Sequence, residues 1–62
     1  MLVLTYKTLQ DHPGVPTGTL LRKATGDDPP FIYRGVDVDC WYQDSVVENT
    51  PAEYEFVSAV QA

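Results

Sequence analysis

CWYQDSVVENTPAEYEFV, the stretch Cys40–Val57, predicts a strand that leads into a short helical turn. The start of the turn is marked by TPAE, which has the form of a capping box. In such a box the Thr50 hydroxyl accepts from the third helical amide, and the Glu53 carboxylate accepts from the amide of Thr50. Pro51 takes the first helical position, where no N–H is needed. We therefore expect one capped helical turn near residues 50–54.

The segment just upstream, Val36–Tyr42, alternates more clearly than any other part of the chain. Successive side chains of a strand point to opposite faces of the sheet. One predicted face carries Val36, Val38, Cys40 and Tyr42, and the other carries Asp37, Asp39 and Trp41. We expect the valine face to point into the core, which leaves the tryptophan beside two carboxylates.

The rest of the chain is divided by glycine- and proline-rich loops into short runs of β-forming residues. Short strands at intervals of about 8–12 residues are typical of small sandwiches and barrels. We predict an all-β fold, either a small SH3-like five-stranded barrel or a strongly bent antiparallel sheet. An oligonucleotide-binding-type barrel is the alternative, although it usually needs a longer chain. The expected strands are Leu2–Thr8, Thr19–Arg22, Phe31–Arg34, Val36–Tyr42 and Tyr54–Val60.

The length of 62 residues predicts a single domain, 1–62, of marginal stability. A chain of this size hides only about 60% of the surface that its unfolded form exposes. A single cysteine, Cys40, gives no internal disulfide, and the Cys and His content cannot build a structural zinc site. We therefore expect added stability from a homo-oligomer or a protein partner.

The charge balance limits the choice of partner. Nine carboxylates against four basic residues give a net charge of −5. This sign disfavours direct nucleic-acid binding, which depends on releasing counterions from phosphate. It serves solubility, and it also allows an acidic protein to occupy a basic groove in place of nucleic acid. The basic residues Lys7, Arg22, Lys23 and Arg34 are scattered.

The N-terminal sequence MLVLTYKTLQ lacks the basic start and apolar core of a signal peptide. No segment approaches the ~20 apolar residues of a membrane-spanning helix. We expect a cytoplasmic protein that does not interact with membranes, in the host cytoplasm if it is encoded by a phage.

The residues that could support catalysis or bind metal do not form a known pattern. A nucleophile–base pair would need Cys40 beside His12, yet the cysteine lies on a predicted apolar face and the histidine in a loop. The pairs Asp27-Asp28 and Asp37/Asp39 lack the ligand spacing of a calcium loop. We therefore predict no enzyme, no cofactor and no metal site.

Aromatic residues are a better indication of function. Seven of them are too many for so small a core to bury completely: Tyr6, Phe31, Tyr33, Trp41, Tyr42, Tyr54 and Phe56. A tryptophan at a surface is a common anchor of protein interfaces. The predicted protein-binding residues are Trp41, Asp37, Asp39, Tyr33 and Phe31. The competing interpretation is that Trp41 covers the second side of the sheet beneath the helical turn.

Three segments resemble small uncharacterised phage and bacterial domains. They are GVPTGTLL at Gly14–Leu21, CWY at Cys40–Tyr42, and VVENTPAEY at Val46–Tyr54. The chain departs from that pattern at Ala52-Glu53-Tyr54, where a glutamate followed by aromatic residues is more usual. The resemblance implies a compact SH3-like unit of phage or mobile-element origin and assigns no activity.

Two functions remain open. The first is a protein-interaction or assembly module that uses an aromatic surface with an acidic rim. The second is a small acidic inhibitor that imitates nucleic acid and blocks a host defence or nucleic-acid-handling enzyme, with Asp37, Asp39, Asp44 and Glu48 in place of phosphates. Binding by the inhibitor would weaken steeply with added salt.

Overall fold

The computed structural model describes all 62 residues, Met1–Ala62. It contains five strands and one short helix, which confirms the prediction of a mostly β chain. The elements are β1 Leu2–Thr8, β2 Leu20–Ala24, β3 Ile32–Gly35, β4 Trp41–Gln43, α1 Asp44–Asn49 and β5 Tyr54–Gln61.

All five strands belong to one antiparallel sheet in the order β4-β3-β2-β1-β5. The last strand returns to pair with the first along nearly its whole length, with a register shift that leaves Val57 without a direct partner on β1. Strands β4 and β5 are the two edges, and the sheet does not close between them.

The core lies on one face of the sheet. Leu21, Tyr33, Val47 and Tyr54 form its buried cluster, and Leu21 and Tyr33 are completely inaccessible to solvent. Because Val47 belongs to α1, the helix covers this inner face. Tyr6 on β1 extends the core by an edge-on contact with Tyr33, with ring centroids 5.3 Å apart.

The helix begins six residues earlier than the sequence predicts. It spans Asp44–Asn49, and Thr50 is its C-cap rather than an N-cap. The expected side-chain bonds of the capping box do not form; instead the amides of Glu53 and Tyr54 donate to the Thr50 carbonyl. The prediction was wrong because Pro51 ends the preceding helix, as prolines just beyond a C-cap commonly do.

The predicted strand Val36–Tyr42 was also wrong in its first half. Residues 36–39 form a bend, and only Trp41–Gln43 pairs with β3. The bend folds back over Gly35, where an added Cβ would overlap the Val38 carbonyl. The strand alternation therefore does not apply to Val36, which is exposed rather than in the core.

The long connection between β1 and β2 is held by threonine hydrogen bonds. The Thr8 hydroxyl donates to the Pro16 carbonyl at 3.0 Å and accepts from the Thr19 amide at 3.1 Å. Thr19 also donates its hydroxyl to the Pro16 carbonyl, at 2.6 Å. These bonds satisfy polar groups that the fold buries, and they fix where β2 begins.

Candidate functional site

A cluster of polar side chains links helix α1 to the inner face of the sheet. Lys23 donates to Asp44 at 3.2 Å and to Glu48 at 3.3 Å, and its ammonium lies 5.1 Å from the centroid of the Tyr33 ring. The Tyr33 hydroxyl donates to the same Glu48 oxygen at 2.8 Å. Burial acts to lower the pKa of Lys23, but the hydrogen bonds to both carboxylates outweigh it and raise that pKa. This cluster is structural, because its charges are satisfied within the chain.

The opposite, outer face of the sheet carries a different set of side chains. The strand register places Thr5 opposite Arg22, Arg22 opposite Arg34, and Arg34 opposite Trp41. Directly opposite residues share a face, with Cβ atoms about 5 Å apart. We call Thr5, Arg22, Arg34 and Trp41 the arginine row. No helix covers it, and Trp41 is 63% exposed.

A cleft of about 280 Å³ opens beside the arginine row. Its apolar lining comes from aliphatic side chains, and its polar lining from two arginines and one aspartate. Arg34 is held in place, 3.6 Å from Asp27 and 3.1 Å from the Asp28 carbonyl that accepts from it. The lining residues are Val3, Arg22, Ala24, Asp27, Arg34, Gly35 and Val36.

Arg22 differs from the other three Lys and Arg side chains. Lys7 pairs with Glu55, Lys23 with the two helix carboxylates, and Arg34 with Asp27, whereas Arg22 forms no ion pair. The cleft thus contains two guanidinium groups against one carboxylate, a local charge of about +1 in a chain of net charge −5. It can accept an anion.

The structure does not bring the predicted binding aromatics together. Trp41 and Phe31 are both exposed, Phe31 by 68%. They lie at opposite ends of the β3–β4 pair, since Trp41 faces Arg34 while Phe31 precedes the Ile32–Gln43 pair. Tyr33 was wrongly predicted to lie at the surface: it is completely buried, because its strand position faces the core.

The predicted acidic residues also separate. Asp37 and Asp39 are exposed in the bend between β3 and β4, not in a strand row with Trp41. Asp44 and Glu48 lie on the helix and pair with Lys23. The charged side chain directly opposite Trp41 is therefore Arg34, which reverses the sign expected there.

The two arginines are what sequence reasoning missed. They are twelve positions apart, and only the β2–β3 register makes them neighbours. The one available signal was that each arginine lies in a run of β-forming residues, at a position where strand alternation places its side chain on the face away from the core.

His12 and Cys40 pack around the core rather than standing free. The His12 ring stacks on Tyr54 at 6.3 Å and lies 5.9 Å from Tyr42, and no hydrogen bond links it to Cys40. Burial raises the pKa of the Cys40 thiol. No three His, Cys, Asp or Glu side chains gather where they could hold a metal ion. The structure has no helix with the length and apolar content needed to cross a membrane.

Comparison with known proteins gives no match: no family model, no curated protein and no solved structure is similar to this chain.

Proposed function

We propose that this chain is a non-enzymatic protein-interaction module that binds a partner on the outer face around Trp41. The observation that carries the proposal is the wide exposure of this tryptophan on a sheet face that no helix covers. Eleven large apolar side chains are exposed, against five buried hydrophobic ones. Single exposed apolar residues are ordinary, but an exposed tryptophan beside a cleft is the usual form of an interface anchor.

The charged surroundings of Trp41 form the rim of the proposed interface. Arg34 lies directly opposite on β3. Asp37 and Asp39 lie in the bend that precedes β4, so that in this proposal they form a second, acidic part of the rim. Rim charges mainly set specificity and the rate of association. Phe31 lies at the end of the β3–β4 pair that is farther from Trp41.

Trp41→Ala tests the proposal directly. We expect the variant to lose at least about tenfold in affinity for the partner captured by the immobilised wild-type chain, because truncating an anchor commonly costs 2 kcal/mol or more. The partner is identified by mass spectrometry, and its affinity is measured by titration calorimetry. Because Trp41 is exposed, thermal unfolding of the variant should match that of the wild type.

Phe31→Ala is the matched control, since it removes an equally exposed aromatic ring at the far end of the strand pair. A smaller loss for this control than for Trp41→Ala supports the proposed location. Undiminished partner binding by a folded Trp41→Ala variant would refute it.

The acidic inhibitor is the alternative function. Asp44 and Glu48 share an ion pair with Lys23, which offsets one of their two negative charges, whereas Asp37 and Asp39 form no ion pair. Affinity that collapses as salt rises, and that survives Trp41→Ala, would favour the inhibitor over the interaction module.

The finer fold assignment is also a proposal: an SH3-like barrel left open between β4 and β5. Its support is the return of β5 to β1 and the short helix just before it. Nuclear Overhauser effects between backbone protons of β4 and β5 would show that the two edges pair in solution, and would contradict a barrel left open there. The phage or mobile-element origin rests on the sequence resemblance alone.

Self-association is proposed through the edge strand β5. This strand has eight residues, contains neither proline nor lysine, and exposes Phe56, Val57 and Val60. Natural edge strands are commonly protected by such residues, by β-bulges or by being short, and of these β5 has the register shift at Val57. Two copies of β5 can pair antiparallel about a twofold axis, which satisfies the free backbone groups of both.

Val57→Lys is expected to keep the chain a monomer. The wild type should approach twice the monomer mass of 6.9 kDa as its concentration rises. A lysine on the edge opposes pairing by charge repulsion and solvation. Sedimentation equilibrium measures the mass, and Val46→Lys on the helix is the control, because Val46 and Val57 are similarly exposed. A wild type that stays monomeric, or equal loss in both variants, would contradict pairing through β5.

A further inference from the structure

The arginine row contains two like charges directly opposite each other, which is unfavourable unless an anion binds between them. Arg22 and Arg34 are directly opposite on neighbouring antiparallel strands. Like charges in this position destabilise a sheet. Asp27 neutralises only one of them, and Arg22 keeps a guanidinium group with no partner within the chain. An anion placed between the two strands would relieve the repulsion.

The cleft beside these arginines has a volume and a lining that limit which anions it can bind. Its volume of about 280 Å³ is at the lower end of ligand sites, enough for one or two side chains rather than a nucleotide. Val3, Ala24 and Val36 supply aliphatic walls, where a charge-assisted hydrogen bond is less weakened by water.

The net charge of the cleft favours a carboxylate over a phosphate. Two guanidinium groups and the Asp27 carboxylate leave about one positive charge. One carboxylate matches this charge, whereas a phosphate group carrying nearly two negative charges would exceed it, beside Asp27 and within a strongly acidic chain. The planar guanidinium fork of Arg22 suits a two-oxygen acceptor.

We infer that the cleft binds a glutamate or aspartate side chain from an acidic segment of the partner protein, with Arg22 as its principal ligand. Arg34, positioned by Asp27 and the Asp28 carbonyl, is the second donor. Trp41, directly opposite Arg34, receives an apolar side chain of the same segment. The inference rests on the proposed function, since it names the chemistry of the partner at that surface.

The test uses three probes in place of the unidentified partner. They are a capped hexapeptide with one glutamate and one phenylalanine among serines, the same peptide with glutamine for glutamate, and inorganic phosphate. Binding is followed by NMR at the arginine Nε–H and tryptophan indole signals. We expect the glutamate peptide to shift Arg22 and Trp41, and the glutamine peptide to bind at least tenfold more weakly.

Arg22→Gln should weaken the glutamate peptide about tenfold. Lys7→Gln removes the same charge from a residue outside the cleft and should change the affinity less than twofold. Because Arg22 is exposed and has no ion pair, its loss should leave the fold intact.

Three results would overturn the inference: no binding of the glutamate peptide, equal binding of the glutamine peptide, or equal losses in the two charge variants. Tighter binding of phosphate than of the glutamate peptide would overturn the choice of a carboxylate. Partner capture that is lost in Trp41→Ala but unchanged in Arg22→Gln would refute this inference and leave the proposed function standing.

Discussion

Leu21→Ala is expected to lower the free energy of unfolding by about 3–5 kcal/mol, the cost of truncating a fully buried leucine. Leu21 is completely inaccessible to solvent and belongs to the buried cluster that also contains Tyr33, Val47 and Tyr54. A domain of 62 residues has a total stability of roughly 3–9 kcal/mol. The substitution therefore removes a large part of the stability and can unfold the chain.

Leu20→Ala is the matched control, one residue away in the same strand. Leu20 faces outward and is 37% exposed, so we expect the loss to be less than half that of Leu21→Ala. Urea unfolding followed by far-ultraviolet circular dichroism measures both. Tryptophan fluorescence is a poor probe here, because Trp41 is already exposed in the folded state. Equal losses for the two leucines would contradict the assigned inner face.

The first and last strands were predictable from local patterns. Leu2–Thr8 alternates β-forming residues, and in the structure Leu4 and Tyr6 pack against the core while Val3 and Thr5 lie on the other face. The strand beginning at Tyr54 was predicted to within one residue at its end. In β1 the alternation continues without a glycine, so that local preference and tertiary pairing agree. In β5 the register shift at Val57 interrupts the alternation, although the bounds of the strand were predicted.

The predictions for the middle of the chain were wrong because each sequence pattern there is compatible with two local structures. A TPAE sequence can start a helix or end the one before it, and the burial of Val47 decides in favour of the helix DSVVEN. Likewise Gly35 allows a bend that places Val38 over the backbone. Only tertiary packing distinguishes these outcomes.

The candidate site depended most on information absent from the sequence. The sequence left open whether Trp41 is exposed or covers the second side of the sheet, and the structure shows it 63% exposed. Its charged neighbour was predicted from an alternation that stops at the bend. The pairing of Arg34 with both Arg22 and Trp41 follows from strand register, which no local pattern determines. The charged neighbour of Trp41 is basic rather than acidic, and this change of sign is the basis for proposing an acidic partner segment.

Alkaline pH is expected to unfold the chain through its buried tyrosines. Burial raises the pKa of Tyr33 far above that of an exposed tyrosine, and its hydrogen bond to Glu48 adds to the effect. Burial also raises the pKa of Tyr54. The folded state therefore keeps these protons at a pH where the unfolded chain, with tyrosine pKa near 10, releases them.

The sign of the pH dependence follows from these raised pKa values. The stabilisation from both tyrosines is fully present below about pH 10 and is lost as pH rises above it. Each retained proton contributes a slope of about 1.4 kcal/mol per pH unit between the unfolded and the folded pKa. The raised pKa of Lys23 acts in the same direction, because its two ion pairs are lost when the ammonium deprotonates. We expect the free energy of unfolding to fall as pH rises above about 10.

Tyr33→Phe separates the contribution of this one hydroxyl from general alkaline damage. At pH 7 the variant should lose about 1.5–3 kcal/mol with the bond to Glu48, since hydrogen bonds to charged groups contribute about that much. Above pH 10 its stability should fall less steeply than that of the wild type, by about 1.4 kcal/mol per unit. Urea titrations from pH 7 to 11 measure the slope. The chain has four tyrosines, so the tyrosinate of Tyr33 is followed as the absorbance difference between the wild type and Tyr33→Phe, and this difference should rise together with unfolding. A difference that appears while the chain stays folded would show instead that Tyr33 ionises in place, and the burial assigned to it would be wrong.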